Sequence, residues 1–211
     1  MPKLPLPPEP AKLAQIGAET RVVPSGMALA RIYFAGGPYP TAWNGFRYYG
    51  RLRGRFDPHL PPPQLQQRGV MYIADSLLTC LAEVFQAKRR IDVVTAQPML
   101  ATFALARDVP LLDLVGLWPT RAGASTAIHS GPRPRAQAWA CAIYDAFPEI
   151  EGVLYCSSMN ANQPTIGLFE RALSALPLLP TSNDALSNPL LRALLLRFAI
   201  HLTHSSIHLV R

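Results

Sequence analysis

Glu83 is the most informative charged residue of the sequence, because nothing near it along the chain explains it. The segment around it, LLTCLAEVF, is mostly apolar and is typical of a helix. The residues three and four positions away are Thr79, Cys80, Gln86 and Ala87. None is basic, so no local ion pair accounts for the carboxylate. Tyr72 lies eleven residues earlier in a short apolar strand, so both side chains can border one cleft. The alternative is a solvated glutamate on a helix surface.

Four arginines within nine residues form a second candidate site. They are Arg47, Arg51, Arg53 and Arg55. Their charges repel one another unless an anion or carboxylates offset them, and Asp57 is the acidic residue close by in sequence. A guanidinium group binds phosphate through two parallel hydrogen bonds, so the segment is a candidate phosphate clamp. The alternative is a solvated basic loop.

Arg31 lies within a predicted strand, and Ser157 directly follows another. Arg31 lies in the strand predicted at residues 27–34, whose other members are apolar or aromatic, so its charge must reach solvent, form a pair or hold a ligand. Ser157 and Ser158 directly follow the strand predicted at residues 152–156. Hydroxyl groups at that position often bond only to nearby backbone, which is the alternative for them.

Composition predicts one well-packed domain with anionic partners. The chain has 211 residues, of which 49% are hydrophobic and 16% charged, with a formal net charge of +7. These values exclude wholesale disorder. The 22 prolines predict long non-helical connections.

The N-terminus lacks the apolar core of a signal peptide and no apolar run is long enough to span a membrane, so we expect a cytoplasmic protein.

Cysteine and histidine usage predicts no metal site. Cys80, Cys141 and Cys156 show no metal-binding spacing and are expected to be buried thiols in a reducing compartment. His201, His204 and His208 share helical spacing, but no acidic or cysteine companion lies near them. We expect neither a metal nor a cofactor.

The order of predicted elements favours an α+β fold with a split antiparallel or mixed sheet flanked by helices. Residues 1–25 are predicted to be a proline-rich arm that packs weakly, 26–178 a catalytic domain, and 179–211 a loop and helix. Within the domain, strands are expected at 27–34, 70–74, 102–106, 111–115, 152–156 and 166–171. Helices are expected from 77 to about 88 and at 135–147, and residues 35–67 are expected to form a functional loop.

Six short motifs in order resemble the RES domain family, named for its arginine, glutamate and serine. They are ALARIY with Arg31, GRFDP at 54–58, VMYIADS continuing to EV at 83–84, LDL at 112–114, EGVLYCSS at 151–158 and GLF at 167–169. The resemblance covers roughly residues 27–175. Two positions depart from the usual pattern: Ile32 follows the arginine where some members have tyrosine, and Cys156 precedes the serine where proline is usual.

The resemblance implies a toxin of a bacterial type II toxin–antitoxin pair with an ADP-ribosyltransferase-like fold. Such a toxin degrades NAD+ at the nicotinamide–ribose bond by hydrolysis or phosphorolysis, and a helix-turn-helix antitoxin covers its active site. Carried over by motif, the catalytic candidates are Glu83, Arg31, Tyr72 and Ser157, and the substrate-binding candidates are Arg51 and Arg55. NAD+ is then a substrate rather than a cofactor. The acceptor of the ADP-ribose group and a homo-oligomeric state are left open.

Two other functions compete with this one. The loop of arginines and aromatic residues between Phe46 and Phe56 is also typical of nucleic-acid binding, with bases stacked on Trp43 or Tyr48. Alternatively, the chain is a catalytically silent protein that only binds its partner. The complete set of arginine, tyrosine, glutamate and serine argues against a silent protein. We do not expect direct nucleic-acid binding.

Overall fold

The computed structural model describes residues 3–85 and 90–203, with side chains described as far as residue 198. The strands in these ranges are β1 (Thr20–Val23), β2 (Ala28–Phe34), β3 (Arg47–Gly50), β4 (Gln64–Ile73), β5 (Pro98–Ala104), β6 (Val109–Asp113), β7 (Gly152–Cys156), β8 (Pro164–Phe169) and β9 (Ser182–Ala185). The α-helices are α1 (Pro10–Ile16), α2 (Leu77–Phe85), α3 (Trp118–Arg121), α4 (Arg133–Ala146) and α5 (Pro189–Thr203). No helix in the described ranges is long and apolar enough to cross a bilayer.

The strands form two sheets. The larger has the order β1-β6-β7-β8-β4-β3, and only its β6–β7 pair is parallel among the described strands. The smaller has the order β2-β5-β9 and is antiparallel. A single bridge between Ala30 and Ala74 joins β2 to the residue that follows β4. The predicted α+β fold with a split mixed sheet is confirmed.

Three apolar clusters fill the layers. One packs α4 on the outer face of the larger sheet and contains Trp118, Trp139 and Phe147. The second lies between the sheets, where Met71 and Ile73 of β4 meet Leu29 and Phe103. The third packs α2 and α5 on the smaller sheet. Side chains of β4 alternate between faces, so Tyr72 points away from Met71 and Ile73 and packs toward the α4 cluster.

The N-terminal segment packs firmly, so the expectation of a weakly packed arm is wrong. Leu4 and Leu13 are buried against α4, and β1 pairs with β6. Two buried indoles donate to backbone carbonyls of this segment: Trp139 to Pro5 at 2.9 Å and Trp118 to Gly17 at 2.8 Å. Without the segment, both indole N–H groups would lose these partners. The proline-rich segment is therefore bound to the rest of the domain.

Most ends of the predicted elements lie within four residues of the prediction, but β4 begins six residues earlier, at Gln64. Strand β7 begins and ends as predicted, and α4 begins two residues earlier, at Arg133. The predicted end of α2, near Lys88, lies outside the described residues. The loop expected over 35–67 contains β3 and the first residues of β4. Leu195 of α5 is buried, so the leucine-rich tail contributes to the core.

The buried α1 leucine gives a direct test of this packing. Replacing Leu13, which is fully buried, with Ala should lower the free energy of unfolding by about 2–4 kcal/mol, because it leaves a cavity against α4. The control is Ile16→Ala on the same helix, where the side chain is 39% exposed and the loss should stay below about 1 kcal/mol. Urea unfolding measures both. Equal losses would mean that α1 is not part of the cooperative core.

Candidate active site

Glu83 projects from the second turn of α2 and accepts a hydrogen bond from a residue of the other sheet. The helix buries Leu81, Ala82 and Phe85, while Glu83 is half-buried. The Ser157 hydroxyl, immediately after β7, donates a hydrogen bond to Glu83 Oε1. Ser157 is fully buried. This contact joins α2, on the smaller sheet, to the end of a strand in the larger one.

The hydrogen bonds of Ser157 define its role. Its oxygen accepts the backbone N–H groups of Met159 at 3.2 Å and Asn160 at 3.0 Å, and its proton goes to Glu83. A hydroxyl with one donated and two accepted bonds is fully engaged, so it orients the carboxylate rather than attacking a substrate. Among the described residues no donor reaches Glu83 Oε2, which leaves that oxygen available to a ligand.

Glu83 lies where two hollows meet. The first is small, about 50 Å³, and mainly apolar. Its lining consists of Ile32, Tyr72, Ile73, Ala74, Thr79, Cys80, Glu83, Val84 and Thr165. The second, about 190 Å³, is basic. Its lining consists of Arg53, Gly54, Arg55, Tyr72, Glu83, Val84, Arg133, Tyr155, Ser158 and Met159. Tyr72, Glu83 and Val84 line both, so the two hollows adjoin along these side chains. Together they are called the cavity, with an apolar end and a cationic end.

Tyr72 is fixed at this junction by its hydroxyl group. The hydroxyl donates to Asp57 Oδ1 at 3.0 Å and accepts the backbone N–H of Phe56 at 3.0 Å. Burial, and then the Asp57 charge, raise the pKa of Tyr72 well above its ordinary value. The phenol therefore stays protonated and its ring is held in place as a wall of the cavity.

The fully buried Asp57 organises the arginine-rich loop. It pairs with Arg47 and accepts the backbone N–H of Leu52 at 3.1 Å. A Cβ on Gly54 would lie 2.0 Å from Asp57 Oδ1 and 2.5 Å from the Tyr72 hydroxyl, so only glycine fits there. Gln137 of α4 donates to the carbonyls of Leu52 and Gly54, at 2.7 and 2.8 Å. This explains the glycine and aspartate of the GRFDP motif.

Three guanidinium groups face the basic hollow. Arg55 is half-buried and donates to the Gly131 carbonyl at 2.7 Å. Burial, and then the charge of Arg133, lower its pKa. Arg53 and Arg133 are exposed, and Arg133 is the first residue of α4. Repulsion among these groups is relieved when an anion binds between them.

The structure gathers four of the six predicted site residues around this cavity. Tyr72, Glu83 and Arg55 line it, and Ser157 lies directly behind Glu83. The shared cleft predicted for Tyr72 and Glu83 is confirmed.

Arg31 and Arg51 are not brought to the cavity. Arg31 is buried, and its guanidinium donates to the carbonyls of Ala42 and Trp43 at 3.2 and 2.7 Å. Burial lowers its pKa to about 10. Arg51 lies against Cys141 of α4. In this structure both arginines contact protein groups, so their substrate roles stay predictions of the resemblance.

The aromatic residues of the arginine-rich segment mostly face the interior. Phe56 is fully buried against Tyr155, with ring centroids 4.6 Å apart, and Phe46 is buried between the sheets. Trp43 packs on Phe103. Tyr48 is half-buried, and among the described residues 43–56 Tyr49 is the exposed aromatic ring. A surface that stacks bases needs several exposed rings, so this arrangement disfavours the nucleic-acid alternative.

Sequence reasoning did not assign several residues of the site. In the sequence Asp57 is recognisable only as an acid close to the arginines. Its contact with Tyr72 joins residues fifteen positions apart, which no local pattern indicates. Arg133 could have been found from the Gly-Pro-Arg-Pro sequence, because proline is favoured in the first turn of a helix. Ser158 and Met159 line the cavity although Ser157, the predicted residue, is covered.

The three cysteines lie among the described residues, whereas the C-terminal histidines mostly do not. Cys80 and Cys141 are buried free thiols and Cys156 is half-buried. Among the described residues no group of His, Cys, Asp and Glu could hold a metal ion. His204 and His208 lie outside the described residues, and the side chain of His201 is not described.

His129 supports the strand end that carries Ser157. Its Nδ1 accepts the backbone N–H of Cys156 at 3.3 Å, and the ring is buried. Burial is the main cause that lowers the pKa of His129 from its ordinary 6.5, and the nearby Arg55 charge lowers it further. The imidazole is therefore neutral, as its acceptor role requires.

Acidification should therefore weaken the folded state. Below the ordinary pKa of 6.5 the unfolded chain binds a proton at His129 that the folded chain resists, so stability falls as the pH falls. His129→Asn keeps an acceptor near the Nδ1 position without titrating. Its urea midpoint should change less than that of the wild type between about pH 7 and about pH 5.5. Equal changes in the two proteins would contradict this role.

Comparisons with known proteins agree with the fold. A solved chain of the M. tuberculosis MbcT–MbcA toxin–antitoxin complex is similar in structure, with a TM-score of 0.59 and 18% sequence identity. The match covers 88% of this chain and 96% of that one. A search of curated proteins gave no match. The sequence model of the RES domain matches residues 28–188, which include Tyr72, Glu83 and Ser157. The chain therefore belongs to the RES domain family.

Proposed function

We propose that this protein is a toxin that degrades NAD+ by cleaving the bond between nicotinamide and ribose. The observation that carries the proposal is the position of Glu83, where an apolar hollow meets a hollow lined by three arginines. NAD+ has the matching order of groups: a flat ring, a ribose and a pyrophosphate. The bond to be cleaved then lies beside the carboxylate.

The arginine end suits the pyrophosphate. Arg53, Arg55 and Arg133 line one hollow and come from two separate segments, so they can approach an anion from different sides. Each guanidinium can form two parallel hydrogen bonds with phosphate oxygens. Burial, and then repulsion from Arg133, lower the pKa of Arg55, and an anion bound there relieves the repulsion.

The apolar end suits the nicotinamide ring. Ile32, Ala74 and Val84 offer apolar surface, and Tyr72 offers an aromatic wall. Because the Tyr72 hydroxyl is engaged by Asp57 and Phe56, the ring is held before substrate arrives. Immobilising the leaving group in this way lowers the entropy cost of reaching the transition state.

Glu83 is then the residue that stabilises the transition state. As the glycosidic bond breaks, positive charge develops on the ribose, as in glycoside hydrolysis. A carboxylate already oriented by Ser157 stabilises this charge and can accept a bond from a ribose hydroxyl through Oε2. Nicotinamide leaves as a neutral molecule, so it needs no general acid. Water or phosphate then attacks the anomeric carbon.

The partner we propose is an antitoxin of the helix-turn-helix type that covers this cavity in the cytoplasm. The structural similarity to a chain of a toxin–antitoxin complex supports a protein partner. A covering partner would also restrain an activity that otherwise removes the NAD+ of the host cell.

A direct test follows the products of the purified protein by mass spectrometry, with and without added phosphate. Release of nicotinamide supports the proposal, and the sugar product identifies the acceptor. ADP-ribose indicates water, and its phosphorylated form indicates phosphate. If NAD+ stays intact under both conditions, the proposed reaction is wrong.

Replacing the carboxylate should abolish most of the activity. Glu83→Gln keeps the size and an acceptor for Ser157 but removes the charge, so we expect kcat to fall by about 10² to 10³. The control is Glu149→Gln, at an exposed position outside the cavity, which should keep the wild-type rate. Both are measured as nicotinamide release. Turnover of Glu83→Gln at the wild-type rate would contradict the assignment.

Removing one arginine of the basic hollow should mainly weaken binding. Arg133→Ala deletes a charged contact with the pyrophosphate, so KM for NAD+ should rise about tenfold while kcat changes little. Arg135→Ala is the matched control, because Arg135 lies on the same helix but does not line the hollow. An equal rise in KM for both variants would indicate a general charge effect instead.

A further inference from the structure

We propose that Thr79 and Asn160 are positioning residues, which hold the turn after β7 against α2 and so fix the Ser157–Glu83 contact. The inference deepens the proposed function by adding residues that no family motif named. Its kinetic part rests on that function, and its structural part does not.

Thr79 is a buried polar residue on the same face of α2 as Glu83. The two are four positions apart, which places one above the other on a helix. Thr79 is fully buried, and its Oγ1 accepts a hydrogen bond from Asn160 Nδ2 at 3.0 Å. The Asn160 side chain therefore satisfies a hydroxyl that would otherwise be buried without this partner.

The turn of residues 157–163 makes the second contact with the same helix face. Ser157 donates to Glu83, while the backbone N–H of Asn160 donates to the Ser157 hydroxyl. Asn160 thus contacts α2 through its side chain and Ser157 through its backbone. Two contacts on one face fix both the distance and the rotation of the turn, which one contact alone cannot do.

The backbone of the turn needs such a restraint. Ala161 and Asn162 both have positive φ angles, 44° and 61°, a region that side-chain-bearing residues seldom adopt. Backbone bonds within the turn close it, from Asn162 N–H to Ser157 and from Gln163 N–H to Asn160. The Thr79 contact is what ties this closed turn to α2 beside Ser157. Losing it should let the turn move and misalign the serine hydroxyl.

Hydrogen exchange measured by mass spectrometry tests the structural part without any activity. In Thr79→Val the amides of residues 157–163 should exchange about fivefold to tenfold faster than in the wild type, the effect of one lost hydrogen bond. Thr79→Ser retains the oxygen and should restore slow exchange. Asn160→Ala removes the donor and should behave like Thr79→Val, which guards against an effect of packing at position 79.

A second threonine, Thr102, provides the matched control, because its hydroxyl is hydrogen-bonded far from the turn. Thr102 lies on the smaller sheet and pairs with Ser182, at 2.7 Å between the oxygens. Thr102→Val should leave exchange in the turn unchanged. Wild-type exchange of residues 157–163 in both Thr79→Val and Asn160→Ala would overturn the proposal.

The kinetic part asks whether the contact acts through Ser157. We expect Thr79→Val to lower kcat for NAD+ about fivefold to tenfold with little change in KM, and Thr79→Ser to restore it. In a Ser157→Ala background, where the serine hydroxyl is gone, Thr79→Val should lower kcat less than about twofold. Fully additive losses would overturn the role through Ser157. If the wild type consumes no NAD+, the proposed function fails while hydrogen exchange still decides the structural part.

Discussion

The contact between Ser157 and Glu83 is the constraint on which the site depends, because it joins a helix of one layer to a strand end of the other beside the cavity. Glu83 belongs to α2, whose buried face packs with the smaller sheet. Ser157 ends a strand of the larger sheet. A carboxylate placed only by its helix would follow every small shift of that layer. The hydroxyl from the opposite layer fixes it, so the cavity between the layers keeps its shape without a ligand.

Hydrogen-bond partners distinguish the arginines that are satisfied within the protein from those that face the cavity. Arg47 is neutralised by the buried Asp57, and Arg31 is satisfied by two backbone carbonyls. Burying these charges is tolerable because each is hydrogen-bonded. Arg53 and Arg133 instead face the cavity from exposed positions. Loss of water from such groups when a phosphate binds is offset by charge-assisted bonds, which suits them to a substrate.

Sequence reasoning succeeded where local pattern determines structure. The apolar runs placed β7 and α2, and the spacing between Tyr72 and Glu83 indicated a shared cleft, because a strand leads directly into a helix there. It could not foresee burial or hydrogen bonds that come from residues far away in the sequence. Leu13 looks like part of a proline-rich arm until α4 is present to bury it. The carbonyls of Ala42 and Trp43 that accept hydrogen bonds from Arg31 could not be foreseen from its strand pattern either, and its role toward a substrate stays a prediction.

A single carboxylate is consistent with the cleavage of the nicotinamide–ribose bond that we propose. Glycoside hydrolases use two acids, because an alkoxide leaving group must be protonated while the sugar gains positive charge. Nicotinamide in NAD+ is already cationic and departs neutral, so the first requirement is absent. Among the described residues that line the cavity, Glu83 is the one acid, and it faces the three arginines across the ribose position that we propose. A second acid there would compete with the pyrophosphate for those arginines. A buried serine also suits this role better than a cationic side chain. Its hydroxyl is a neutral donor, so it orients Glu83 without neutralising the charge that the proposed transition state requires.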